Sequence, residues 1–281
     1  MMHKSCLRYN GSKWWMQTNH HLSEYIMKAS HDHPYCELFF GSGVLFFNLW
    51  HPTIHAFLND INGQLINFWN IIRTRRAEFE DAIKYVWCAA NNQDWFPNWE
   101  ADPLERACVF YLNNRLNQHI TKPTILEKDL SWWANRLDQS RVFIDCKPFE
   151  EEMDYLMKLY THNDPERLCD IIFYEDPPYF GSEYVYGKKF KVNDLETEIP
   201  PFKHCLLLKK NWEAREKGHN LYISYNKCPE VLEMYPPEEG WYIKEFPYSP
   251  NGVAPGRSTE RTELLISNHP IIQRTNQRKL M

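Results

Sequence analysis

No run of apolar residues in the 281-residue sequence reaches the roughly 18 needed to cross a bilayer as a helix. The opening, Met-Met-His-Lys-Ser-Cys-Leu-Arg-Tyr-Asn, lacks the apolar core of a secretion signal, which points to the cytoplasm. The eight cysteines, at 6, 36, 88, 108, 146, 169, 205 and 228, contain no Cys-x-x-Cys pair. That scatter argues against a zinc site or a disulfide framework and for buried, reduced thiols. Histidines cluster only as His20-His21 and His31-Asp32-His33, with no further ligands at metal-binding spacing, so no metal is expected. An excess of positive charge is missing too. The formal net charge is -5, so any polyanion would have to meet a local basic face. Candidates are Arg73 to Arg76, Lys188-Lys189, Lys209-Lys210, Arg257 to Arg261 and Arg274 to Lys279.

What is present is a globular composition: 43% hydrophobic and 25% charged residues exclude a disordered chain. The 11 Trp, 16 Tyr and 16 Phe suit core packing, base stacking or both. Short apolar runs alternate with helical patterns. Strands are expected at 35–40, 55–58, 141–144, 171–174, 221–225 and 263–267, with helices after Gly43, over 64–72 and over 149–160. That alternation predicts an α/β sheet covered on both faces. It breaks between 73 and 140, where helical runs at 78–90 and 104–116 accompany Trp95, Phe96, Trp99, Trp132 and Trp133. This stretch reads as a mainly helical insertion, and Pro247 to Arg261 reads as a mobile loop.

The most informative segment is Ile-Ile-Phe-Tyr-Glu-Asp-Pro-Pro-Tyr at 171–179. A buried strand runs into Pro177 and Pro178, which cannot continue a ladder and leave the sheet stiffly. Asp176 and the Pro177 carbonyl are hydrogen-bond acceptors, and Tyr179 is a flat face. Together they suit a planar group bearing an NH2, such as a nucleobase; a rigid turn with a capping Asp is the plain alternative. Upstream, Phe39-Phe40-Gly41-Ser42-Gly43 follows a strand and precedes a helix, so its glycines let backbone approach a ligand. It falls short of the full Gly-x-Gly-x-x-Gly fingerprint. Asp60, ending the next strand, is placed either to accept from ribose hydroxyls or, with Asn59, to cap the following helix.

Asp176 to Tyr179 behind a strand, with Glu37-Leu38-Phe39-Phe40-Gly41-Ser42-Gly43 upstream, resembles the Dam-type, α-group DNA adenine-N6 methyltransferases. Arg8-Tyr9-Asn10-Gly11-Ser12-Lys13 is similar to that family's opening cofactor motif, Leu58 to Asn62 to its ribose segment, and Glu263 to Asn268 to its last strand. The resemblance implies a Rossmann-like sheet and S-adenosyl-L-methionine as cofactor. Its site would draw on Tyr9, Gly11, Lys13, Glu37, Phe39, Gly41, Ser42, Gly43, Asp60, Asp145, Phe149 and Asp176. It implies methylation of adenine N6 in double-stranded DNA by base flipping, with Asp176, Pro177, Pro178 and Tyr179 as the catalytic group.

The catalytic domain would comprise 1–72 and 141–281, and 73–140 would recognise the target. Arg115, Asn117, Lys188, Arg257 and Arg261 are the candidate DNA contacts. A monomer or weak dimer in a bacterial or phage-infected cell, in a restriction–modification setting, is the matching context. Three positions depart from the family pattern. Leu38 stands where the family usually has proline. Pro148 precedes Phe149 in place of an Asp, a contact Asp145 could supply. Residues 113–119 only loosely echo the recognition segment. Cytosine-N4 methylation, a silent DNA- or protein-binding relative and a small-molecule methyltransferase are the alternative readings.

Overall fold

The computed structural model of the chain describes residues 2, 4–7, 12–26, 33–49, 51, 54–91, 102–116, 130–139, 141–160, 170–181, 202–248 and 261–273. Among them, seven strands form one sheet in the order β3-β2-β1-β4-β5-β7-β6. They are β1 (Tyr35–Glu37), β2 (Ala56–Asn59), β3 (Val142–Asp145), β4 (Ile172–Glu175), β5 (Asn220–Asn226), β6 (Tyr242–Tyr248) and β7 (Arg261–Ser267). The first five in that order run parallel, and β7 lies antiparallel to both β5 and β6. Parallel neighbours need long crossovers, which helices supply. These are α2 (Val44–Leu49), α3 (Gly63–Thr74), α4 (Arg76–Asn91), α5 (Pro103–Leu116), α6 (Ser131–Leu137), α7 (Phe149–Leu159) and α8 (His204–Glu216), preceded by α1 (Trp14–His20) and followed by the short α9 (Pro229–Met234).

The strands are buried on both faces because their side chains alternate between two cores. Tyr35, Leu58, Tyr174 and Leu265 enter one cluster with α2 to α6. Cys36, Phe57, Phe173 and Leu264 enter the other with α7, α8 and α9. This is the period of two expected of a pleated strand, and it explains why β1, β2 and β4 read as unbroken apolar runs. The described helices between 73 and 140, α4 to α6, pack on the first face. Phe68 of α3 stacks on Tyr111 of α5 at 5.6 Å with 5° between the rings, and Phe79 of α4 meets both edge-on.

Two expectations change here. The stretch Pro247 to Arg261 is not wholly a loop: Pro247 and Tyr248 close β6, and Arg261 opens β7. Proline is tolerated because β6 is an edge strand, where its missing N–H interrupts only one ladder. Not every thiol is buried: Cys6, Cys36 and Cys108 are, whereas Cys146 and Cys205 are exposed. The site-bearing consequence of the topology is at β1, which is flanked by β2 on one side and β4 on the other. The strand order reverses direction there, and ligands of such sheets bind beyond the carboxyl ends of the strands at that point.

Glu175, the last residue of β4, illustrates the cost of the buried interior. It is fully buried; one carboxyl oxygen accepts from Asn211 Nδ2 at 2.8 Å, and the other has no partner among the described residues. Burial pushes its pKa up to about 8, offset in part by Asn211. The folded state therefore keeps the proton that the unfolded chain releases near pH 4.5. Stability is fully present below that value and falls as pH rises towards the folded pKa. Glu175→Gln should thus gain on the wild type progressively between about pH 5 and 8, read as the difference in urea midpoints. A difference that stays flat across that range would contradict the neutral acid.

Candidate active site

The loop after β1 is shaped by its glycines. Gly41 and Gly43 both have positive φ, at 50° and 66°. A Cβ at Gly43 would lie 2.7 Å from the rings of Phe40 and Phe47, so only glycine fits. Neighbouring groups hold this loop from outside. Asp60 accepts from the backbone N–H of Gly41 through one oxygen and from that of Asn62 through the other, both at 2.9 Å. Trp69 Nε1 donates to the Gly41 carbonyl at 3.1 Å, and the Ser42 hydroxyl lies 3.3 Å from that of Ser12. Asp60 is buried and its pKa is pushed up to about 6 by burial, restrained by those two N–H donors. Neither Asn59 nor Asp60 caps α3. The cap is Asn62, whose Oδ1 accepts from Gln64 and Leu65 N–H.

Asn59 instead ties three strand ends together. Its Nδ2 donates to the carbonyls of Leu38 and Lys147, and its Oδ1 accepts from Lys147 N–H. Leu38, in the position where the family pattern has proline, uses the N–H that proline lacks to donate to the Tyr174 carbonyl at 3.3 Å. Asp145 ends β3, partly exposed and 3.4 Å from Lys147 Nζ. Pro148 precedes α7 and its carbonyl accepts from Glu151 and Glu152 N–H. Phe39, Phe149 and Phe202 pack ring to ring at 5.4–5.8 Å. Glu37 is buried, accepts from the Tyr35 hydroxyl at 2.8 Å, and has its pKa pushed up to about 8 by burial.

On the other side of the switch point, Asp176 leaves the end of β4. Its Oδ1 accepts from Lys13 Nζ at 2.5 Å and from the Tyr179 hydroxyl at 3.2 Å. Lys13 Nζ is also 2.9 Å from Glu263 Oε1 and 5.0 Å from the centre of the Tyr179 ring, and the Tyr179 hydroxyl donates to Glu263 Oε1 as well. Burial alone would lower the Lys13 pKa, but Asp176 and Glu263 outweigh it and hold the ammonium above its usual value. Burial pushes Asp176 up to about 6, against the pull of Lys13 and with the repulsion of Glu263. Burial, Asp176 and Glu263 push Tyr179 well up, so it stays a phenol that can donate.

The structure therefore joins Lys13, Asp176 and Tyr179, pairs Gly41 with Asp60, and sets Phe39 against Phe149. Tyr9, Gly11, Asn117, Lys188 and Arg257 lie outside the described residues, as does the side chain of Arg115. Arg261 is exposed, two residues before Glu263 in β7. Three contributors were missed by sequence reasoning: Glu263, Phe202 and Trp69. A glutamate heading the apolar run Leu264-Leu265-Ile266 was the available signal for the first, since a strand interior admits a carboxylate only with a partner.

With that geometry in view, residues 9–103 match the family model described as D12 class N6 adenine-specific DNA methyltransferase. Over that stretch the chain is similar to this family. The matched residues include the glycine loop and Asp60 and end before Asp176. The chain is also 27% identical to a protein named DNA adenine methylase from Serratia marcescens, across 51% of this chain and 56% of that protein. It thus spans a little over half the length of that relative. The solved structure of precorrin 8w decarboxylase from Methanobacterium thermoautotrophicum aligns with 89% of this chain and 90% of its own at a TM-score of 0.36 and 11% identity. So loose a likeness carries nothing for function, and the α/β architecture stands on this chain's own sheet. Among the described residues, no helix is long and apolar enough to cross a membrane.

The glycine loop makes a direct prediction. Gly43→Ala puts a side chain at positive φ and into two buried rings. It should cost on the order of 2–4 kcal/mol by chemical denaturation. A loss well under 1 kcal/mol would mean that the loop relaxes at no cost.

Proposed function

We propose that the protein transfers a methyl group from S-adenosyl-L-methionine to the N6 amine of adenine in double-stranded DNA. The observation that carries this reading is the juxtaposition, across the β1/β4 crevice, of a glycine loop and a carboxylate, Asp176, whose Oδ1 already holds two N–H or O–H donors beside the Tyr179 ring. The match to the D12-class model over 9–103 and the named relative support adenine and DNA as the substrate.

The residues fit the cofactor. The glycine loop, with Gly41 and Gly43 both at positive φ, brings backbone without side chains to the carboxyl end of β1. Asp60 retains a second lone pair on each oxygen for ribose hydroxyls, and Phe39, Phe149 and Phe202 offer an aromatic wall for a purine. When bound, S-adenosyl-L-methionine supplies an electrophilic methyl group on a positively charged sulfur, and the carboxylates here suit a cation. The adenine must leave the duplex, at a cost of a few kcal/mol. Tyr179 offers a face for the extruded base to stack on. Asp176, ionised above about pH 6, and the Pro177 carbonyl accept from its NH2 and turn the nitrogen lone pair outward. Pro177 and Pro178 keep these acceptors stiff. Catalysis then comes from positioning and from charges fixed in advance.

In this account residues 1–72 and 141–281 form the catalytic domain and 73–140 reads the target. Arg115, Asn117, Lys188, Arg257 and Arg261 contact the DNA, the protein acts in the cytoplasm, and it works as a monomer or weak dimer. Asp176→Ala should abolish methyl incorporation from labelled cofactor into duplex DNA, with a native-like circular dichroism spectrum and a lowered thermal midpoint, since a partner of buried Lys13 is lost. Persistent transfer in a folded variant would remove Asp176 from the chemistry. Replacing Arg257 and Arg261 together should reduce the slope of log affinity against log salt by about 1.8, as two lost phosphate contacts require; an unchanged slope would contradict both contacts.

A further inference from the structure

Four groups close a ring at the mouth of the site. Lys13 Nζ and the Tyr179 hydroxyl each donate to both Asp176 Oδ1 and Glu263 Oε1. Two carboxylates compete for the same two donors. The side chains of Lys13 and Glu263 are each only 4% exposed, and that of Asp176 is 20% exposed, so the arrangement is no solvated surface pair. Glu263 is also fixed in space: its strand pairs on both sides, with Asn226 of β5 and Phe246 of β6 opposite it.

In the ring as it stands, Lys13 engages both Asp176 Oδ1 and the Tyr179 face. Lys13 Nζ lies 2.5 Å from Asp176 Oδ1 and 5.0 Å from the Tyr179 ring centre. An exocyclic amine of a base stacked on that face of Tyr179 and bonded to Asp176 Oδ1 would compete with the ammonium for the same place. The ammonium must therefore leave Asp176 when the amine arrives. Leaving a buried carboxylate with no other partner would strand a desolvated charge, which is costly. Glu263 removes that obstacle, because it already holds the same ammonium at 2.9 Å and lies in reach without any movement of the strand.

We infer that Glu263 is a positioning residue for amine methylation: it takes the Lys13 ammonium from Asp176 so that Asp176 can accept the target NH2. The inference rests on the reading of Asp176 as the amine acceptor. Tyr179 follows the same exchange, its hydroxyl anchored by Glu263 when Asp176 turns to the base. The plain alternative is a buried ion pair that stabilises the fold and takes no part in substrate entry.

The two differ in what Glu263→Gln does. Glutamine keeps an acceptor oxygen but no charge, so Asp176 becomes the one carboxylate of the ring that pairs with Lys13. The titration of the Asp176 carboxyl, followed by carbon-13 NMR in the protein without ligands, should move to lower pH by half a unit or more. Two causes act together: a repelling charge is lost and Lys13 is no longer shared. Single-turnover methyl transfer should slow tenfold or more. The acid limb of its pH profile should shift down with the NMR titration, while DNA affinity by fluorescence anisotropy stays within twofold. Should Glu263→Gln not fold, Glu263→Asp, which withdraws the charge by one methylene, should shift the titration in the same direction by less. An unmoved Asp176 titration, or a rate loss with no shift of the acid limb, would overturn the inference. A wild type that transfers no methyl group to DNA would instead defeat the functional reading, while the NMR titration still reports on the exchange.

Discussion

One ammonium shared by two buried carboxylates organises this site. Lys13 is desolvated, and so are the groups it serves; none of the three charges could be buried without the others. Lys13 sits at the start of α1, Asp176 just past β4, and Glu263 within β7. Their meeting requires the N-terminal segment to lie across the carboxyl end of β4 and the antiparallel β7 to be added beyond β5. The sheet order can be read as the means of meeting that requirement. It places β4 where the strand order reverses and β7 two strands away, so that side chains from both ends of the chain reach one carboxylate.

The second half of the site follows from the first through β1. Its glycine loop closes on itself through the Gly43 N–H to the Phe40 carbonyl at 2.8 Å and is further held by hydrogen bonds from the end of β2 and from α3. Asp60 clamps two backbone N–H groups, Trp69 one carbonyl, and Asn59 fastens the ends of β1 and β3 to β2. A loop fixed from outside needs no reordering when a ligand arrives, which is the structural content of preorganisation. The cost is visible in the raised pKa values of Asp60, Asp176, Glu37 and Glu175: each is a carboxyl group retained against its solvation preference.

Much of this architecture is legible in the order of the amino acids. Six of the seven strands announce themselves as short β-branched and aromatic runs, and the helices after Gly43 and over 64–72 and 149–160 follow from apolar spacing. Asp176 to Tyr179 is conspicuous because two prolines end a buried strand. What the sequence hides is of two kinds. β6 is concealed by Pro247, a residue that reads as a breaker but that an edge strand accepts. Glu263 is concealed by distance: it lies 87 positions from Asp176 (263 minus 176), and only the pairing of β5 with β7 brings them together. Asp60 shows a third limit. Its position at the end of β2 is plain from the sequence, but the Gly41 N–H it holds belongs to a different loop, and no local pattern records that bond.

The central claim is that this constellation methylates the exocyclic N6 amine of adenine in DNA. The most direct measurement is mass spectrometry of nucleosides from duplex DNA incubated with the protein and S-adenosyl-L-methionine. The account predicts N6-methyldeoxyadenosine, growing with time and lost on omission of the cofactor. N4-methyldeoxycytidine alone, or no methylated nucleoside from folded, cofactor-bound protein, would contradict it.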